Sequence, residues 1–105
     1  ETDLSRSKRL EQQVELILQD IDRETNGLRA RYEKATADAA FLIEDEVNGG
    51  VSVRASDRQT QLTSVVIHYE ARIRALQAQR RFYEGIDAAV TGFGDELSET
   101  AASER

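Results

Sequence analysis

Apolar residues recur along the chain at alternating steps of three and four, the period of one face of an α-helix. Leu10, Val14, Ile17 and Ile21 open the series; Leu18, Ile21, Thr25, Leu28, Tyr32, Ala35, Ala39 and Leu42 continue it without a slip. The phase survives Asn26-Gly27, a pair that in isolation reads as a turn, so the pattern predicts one helix over about 4–47 rather than two short ones. Asn48-Gly49-Gly50 is stronger punctuation, because glycine readily adopts the left-handed conformation that closes a helix. Ser56-Asp57-Arg58-Gln59 has the form of a capping box, with Ser56 able to accept from the third amide of a new helix and Gln59 able to reach back. The expected layout is helix 1, a turn over 48–55, a second helix over about 56–91 and a polar tail over 95–105, in one domain spanning 1–105.

In the second helix Leu62, Tyr69, Leu76, Tyr83, Val90 and Leu97 recur every seven residues, with Val66 and Ile73 between them. Helix 1 carries its own sevenfold set in Val14, Ile21, Leu28, Ala35 and Leu42. Such recurrence marks a coiled-coil seam, and two seams joined by a short connection pack antiparallel. The expected fold is therefore all-α, a long antiparallel, coiled-coil-like helical hairpin. Two alignments compete. A tight reversal at Asn48-Gly49 sets Leu28 beside Tyr69 and Ile21 beside Leu76, and brings Asp22 and Glu24 near Arg74 and Arg72. A loop running on to the Ser56 cap sets Leu28 beside Leu76 and Ile21 beside Tyr83; it is preferred because Val51-Ser52-Val53 is a poor helix start.

A second apolar stripe on the later helix changes the picture. Ala71, Ala75, Ala78, Phe82, Ile86, Ala89 and Phe93 again step by three and four, off the seam. A hairpin that leaves Phe82, Ile86 and Phe93 in water exposes a patch that calls for a partner. The expected partner-binding residues are Ala75, Ala78, Phe82, Ile86, Ala89 and Phe93, completing a four-helix bundle by dimerisation or by docking onto a partner helical protein. Near the turn, helix 1 adds Ala37, Ala40, Phe41, Ile43 and Val47.

Composition narrows the function classes. With 39% hydrophobic and 32% charged residues over 105 positions, the chain has too little apolar material for a broad globular interior and suits amphipathic helices. The excess of 20 acidic over 14 basic side chains, a net charge of -6, is expected to repel a nucleic-acid backbone or an anionic membrane surface. No cysteine is present, which removes disulfides, thiol catalysis and Cys-ligated zinc together. No apolar run approaches the ~18 residues of a membrane span. A chain that starts at Glu1 and contains no methionine reads as trimmed, processed or cut from a longer protein. A cytoplasmic location is expected, or secretion without a cleavable signal peptide.

Catalytic and metal-binding patterns are sparse. The one histidine, His68, has no carboxylate in an orienting place and no Glu three residues before it, so a surface or seam-edge role is expected. Glu44-Asp45-Glu46 with Asn48 reads as a solvated acidic end. Arg72, Arg74, Arg80 and Arg81 lack interleaved aromatics and lie opposite an acidic helix, which favours helix pairing over phosphate binding. Gly49-Gly50 is not followed by the lysine of a phosphate loop, and Tyr32, Tyr69 and Tyr83 sit at seam spacing. No catalytic residue, cofactor or metal ligand is therefore expected.

An acidic, cysteine-free chain of this length, read as a helical hairpin with glycine at the bend and Tyr83-Glu84-Gly85-Ile86-Asp87 late in its second helix, resembles the small Trp-Xaa-Gly proteins exported by type VII secretion machines. The bend here reads Val47-Asn48-Gly49, and the chain has no tryptophan. The resemblance implies a secreted substrate in which Tyr83 and Asp87, spaced as Tyr-x-x-x-Asp/Glu, act as an export signal. The residues taken by themselves favour a different function: a non-enzymatic helical interaction module acting as a scaffold, adaptor, chaperone or structural subunit, whose second helix meets a partner helix or a second copy of the chain.

Overall fold

A computed structural model describes residues 2–49 and 53–103, with side chains over 2–44 and 56–103. Two helices, α1 (Asp3–Gly49) and α2 (Val53–Ser103), form an antiparallel hairpin with no strand among the described residues. The all-α hairpin expected from the seam spacing is the observed fold.

α1 starts at a reciprocal cap. The Ser5 amide donates to the Thr2 hydroxyl at 3.0 Å and the Thr2 amide to the Ser5 hydroxyl at 3.1 Å, satisfying two amides that have no partner inside the helix. Asp3 in the first turn complements the positive end of the helix dipole. The helix then runs unbroken through Asn26-Gly27. Seam packing on both sides of Gly27, at Ile21, Thr25 and Leu28, outweighs the ~1 kcal/mol that a mid-helix glycine costs.

Both ends of α2 differ from the sequence-based expectation. The helix begins at Val53, so Ser56 lies inside it and is not its cap; its carbonyl accepts from the Thr60 hydroxyl at 3.1 Å, as that of Gln59 does from Thr63 at 2.9 Å. Once a helix is nucleated each added residue brings a backbone hydrogen bond, and β-branched Val53 lowers that gain by only a few tenths of a kcal/mol. At the far end α2 continues to Ser103, through the stretch expected to be a polar tail. Gly92 and Gly94 do not stop it, because the seam continues: Leu97 is half-buried and Gly94 lies against α1. A Cβ at Gly94 would stand 3.3 Å from the Ser7 hydroxyl oxygen, closer than side chains normally approach, so glycine here permits the contact.

The chain divides into two compact units. The terminal unit pairs Glu1–Arg23 with Gln77–Arg105, and the central unit is Glu24–Leu76. In the terminal unit Ser7, Val14, Ile21 and Val90 are buried, with Leu4, Leu18, Tyr83 and Leu97 half-buried beside them. In the central unit Thr25, Leu28, Ala35 and Leu76 are buried, and Leu76, only 1% exposed, is the largest fully buried side chain among the described residues. The Ser7 hydroxyl is buried with no hydrogen-bond partner among the described residues.

Cross-helix contacts fix the stagger in each unit. In the terminal unit Ser7 meets Gly94, Thr91 donates to Glu11 at 3.3 Å, and Arg80 clasps Asp22. In the central unit the Tyr32 hydroxyl donates to Glu70 at 2.9 Å, and counting back from that pair puts Leu28 level with Ile73 and Arg74. Leu28 therefore faces a level between Leu76 and Tyr69, the two partners considered from the sequence. The physical reason is interdigitation: each seam residue inserts between neighbours on the facing helix, so the two sevenfold sets interleave and do not meet head-on. Glu24 does reach Arg72, at 2.9 Å, but Asp22 pairs with Arg80 and not with Arg74.

Candidate interaction face

Arg80 occupies a seam position of α2, where its half-buried side chain is neutralised from two directions. Its Nε and Nη2 donate to the two carboxylate oxygens of Asp22 at 2.7 and 3.2 Å, a bidentate fork, and its Nη1 donates to Glu84 one turn on. This fork holds the Asp22 carboxyl below the usual carboxylate range against the opposing effect of burial, and raises the Arg80 guanidinium in turn. In the central unit the hydrogen bond to Glu70 pushes the Tyr32 hydroxyl above its ordinary range, because losing the proton would leave a phenolate beside a carboxylate. These polar pairs orient the helices. Among the described residues no group of three His, Cys, Asp or Glu could hold an ion. His68 is exposed on α2, and Glu44 is exposed, while Asp45, Glu46 and Asn48 lie outside the described side chains.

The off-seam stripe of α2 is where large apolar side chains face water. Phe82 is 65% and Phe93 55% exposed, Ala78 and Ala89 are exposed, and Ile86 is half-buried between them. All of these belong to the terminal unit; Ala75 is exposed on the same helix within the central unit. The Phe82 ring is set edge-on to Tyr83, with centroids 5.3 Å apart and planes at 75°.

Two residues of this face come from α1. Leu10 and Ile17 share the apolar period of Val14 and Ile21, yet the seam takes only the latter pair, leaving Leu10 52% exposed and Ile17 exposed as well. Leu10, Ala89, Phe93 and Leu97 line an open groove of about 630 Å³, with Ser7 and Val90 on its floor and Asp3 and Arg6 at its rim. The α2 stripe is therefore half of a face made by both helices. The signal for the other half was present, since Leu10 and Ile17 fall seven apart and three residues past the seam positions Ser7 and Val14.

Tyr83 and Asp87 are both half-buried at seam positions of α2, Tyr83 beside Phe82. In the central unit Phe41 is 71% exposed, and Ile43, Val65 and Ile67 are exposed as well. Among the described residues no helix is long and apolar enough to cross a membrane. No protein-family model, curated protein or solved structure is significantly similar to this chain.

Proposed function

We propose that this chain is a non-enzymatic helical interaction module whose terminal unit docks against other helices through Phe82, Ile86, Ala89 and Phe93 of α2 together with Leu10 and Ile17 of α1. The observation that carries this reading is the groove walled by Leu10, Ala89 and the half-exposed Phe93, on the same helix as the still more exposed Phe82. Burying one such ring is worth about 1.5–3 kcal/mol. Water-facing aromatics at helical spacing fit a docking stripe better than a reaction centre. The stripe suits a scaffold, adaptor, chaperone or structural subunit equally well; the shared activity is helix-on-helix assembly.

The test is to tag the chain, place it in an extract of its own cells and follow its sedimentation. The wild-type chain should sediment as a complex, and a Phe82→Glu, Phe93→Glu double variant should sediment as a free chain with unchanged helicity. If the wild-type and double-variant chains sediment alike, the reading fails.

A further inference from the structure

We infer that the seam of this hairpin accommodates two alignments one heptad apart, and that a slide of α2 along α1 from the observed one to the other takes the apolar groove apart. The slide is read from the seam alone; its effect on docking rests on the interaction reading above. Three cross-helix pairs share one stagger: Glu11 with Thr91 and Asp22 with Arg80 in the terminal unit, and Tyr32 with Glu70 in the central unit. Both helices carry sevenfold ladders, so moving α2 by seven residues, about 10 Å, returns seam positions to seam positions. Charge decides the direction. If each α1 residue meets a residue seven places later in α2, Asp22 falls on Asp87 and Arg80 on Arg29, like on like. If it meets one seven places earlier, Arg80 falls on Glu15, Asp22 comes beside Arg74, and Glu70 reaches the Thr25 hydroxyl. Glu84 then stands level with Glu11, and Arg80 and Arg81, one turn away, carry positive charge to both. Glu24 and Arg72 already lean toward this second alignment. By the observed stagger Glu24 is level with Ala78, so its 2.9 Å bridge reaches back six residues, and the slide brings the two nearly level.

The terminal unit shows why the two alignments compete. The Ser7 hydroxyl is buried with no hydrogen-bond partner among the described residues, and it fits only because position 94 has no Cβ. The slide puts Asp87 where Gly94 was, giving that hydroxyl a carboxylate to donate to, and moves the reversal back to Asn48-Gly49, a turn-forming pair. Against this, it carries Leu97 past the start of α1 and so gives up the last seam layer, which makes the observed alignment the major state. The groove belongs to that state. Leu10 is now nearly level with Phe93, and Ile17 with Ile86; after the slide Leu10 meets Ile86, Ile17 meets Gln79, and Phe93 lies out beside Asp3. A partner seated against Leu10 and Phe93 therefore holds the seam in the observed alignment, as any ligand selects the state that presents its site.

Disulfide trapping in the purified full chain is the test. Val66 stands to Ala35 as Gly94 does to Ser7, four heptads along, so Ala35→Cys with Val66→Cys should close readily. Ala35→Cys with Gln59→Cys should close slowly, since only the slide brings the two within the ~7 Å between Cα atoms that a bridge spans; Ala35→Cys with Ile73→Cys, the opposite slide, should not close. Gly94→Leu should raise closure at Gln59 by about tenfold or more and lower it at Val66, with unchanged far-ultraviolet dichroism, whereas Ser7→Ala should reduce closure at Gln59. No closure at Gln59, closure at Ile73 as fast as at Gln59, or a Gln59 to Val66 ratio indifferent to both variants overturns the slide. In cell extract the chain locked at Val66 should sediment as a complex and the chain locked at Gln59 as a free chain. If both form the complex, control of the groove by alignment is overturned; if the unlocked wild-type chain forms none, the interaction reading fails while the slide stands or falls on the trapping.

Discussion

Three residues past each buried seam position of α1, the terminal unit carries Leu10 and Ile17, whereas the central unit carries Glu24, Arg31 and Asp38. The corresponding positions on α2 are Gln79, Ile86 and Phe93 in the terminal unit, and Val65 and Arg72 in the central unit. Both units bury comparable seams, so the seam does not distinguish them. The edge does. A solvent-exposed pair such as Glu24–Arg72 contributes only about 0.2–1 kcal/mol and is content in water. A phenylalanine at the equivalent place leaves about 1.5–3 kcal/mol unrealised until something covers it. One helical hairpin can thus pack its seam in both units while one edge of the terminal unit keeps large apolar side chains in water.

The largest expected effect that would break this comparison lies in the seam. Leu76→Ala removes the most deeply buried large side chain of the central unit and should cost about 2–5 kcal/mol in urea unfolding, whereas Phe82→Ala should change the stability of the isolated chain by less than ~0.5 kcal/mol. Comparable losses in both would mean that the Phe82 edge is core. Next in size, the pair Ser7→Cys and Gly94→Cys should close a disulfide under mild oxidation, since the Gly94 Cβ direction already points to within 3.3 Å of the Ser7 oxygen. The bridge should raise stability by roughly 4 kcal/mol by closing a long loop; failure to form it would contradict the stagger of the terminal unit.

How much of this was legible in the sequence depended on the range of the interaction involved. The two helices, their seams and the passage through Gly27 rest on local period and could be read directly. The stagger could not, because it is set by how Ser7 seats on Gly94 and Arg80 on Asp22, residues far apart in the chain. The end of α2 was misplaced for a related reason: Gly92 and Gly94 are local breakers, but Leu97 keeps packing beyond them. Leu10 and Ile17 were grouped with Val14 and Ile21 because a four-residue window cannot separate the seam from its shoulder. The exposed Phe82 and Phe93 were legible, being aromatic residues off the sevenfold ladder.

Smaller effects sharpen the contrast. Gly27→Ala places a methyl group where the nearest atom is the tip of Arg31 at 4.0 Å, so it should stabilise the central unit by about 1 kcal/mol, read as slower amide exchange around Thr25 and Leu28. Smallest is a pH dependence in the terminal unit. Asp22 has a lowered folded-state pKa through its fork to Arg80, so its contribution is present above the unfolded carboxylate value and is lost as pH falls through the lower, folded one. Unfolding of the wild-type chain should therefore steepen below about pH 4 relative to Asp22→Asn, and parallel curves for the two would show that the fork does not form in solution.

The proposal that the seam holds the hairpin while the Phe82–Phe93 edge docks elsewhere is tested most directly by hydroxyl-radical footprinting read by mass spectrometry, comparing the purified chain with the tagged chain in an extract of its own cells. Oxidation of Phe82 and Phe93 should be lower in the extract, while that of Phe41, more exposed still, is the same in both. Protection in the extract at Phe41 and not at Phe82 or Phe93, or at none of the three, would contradict it.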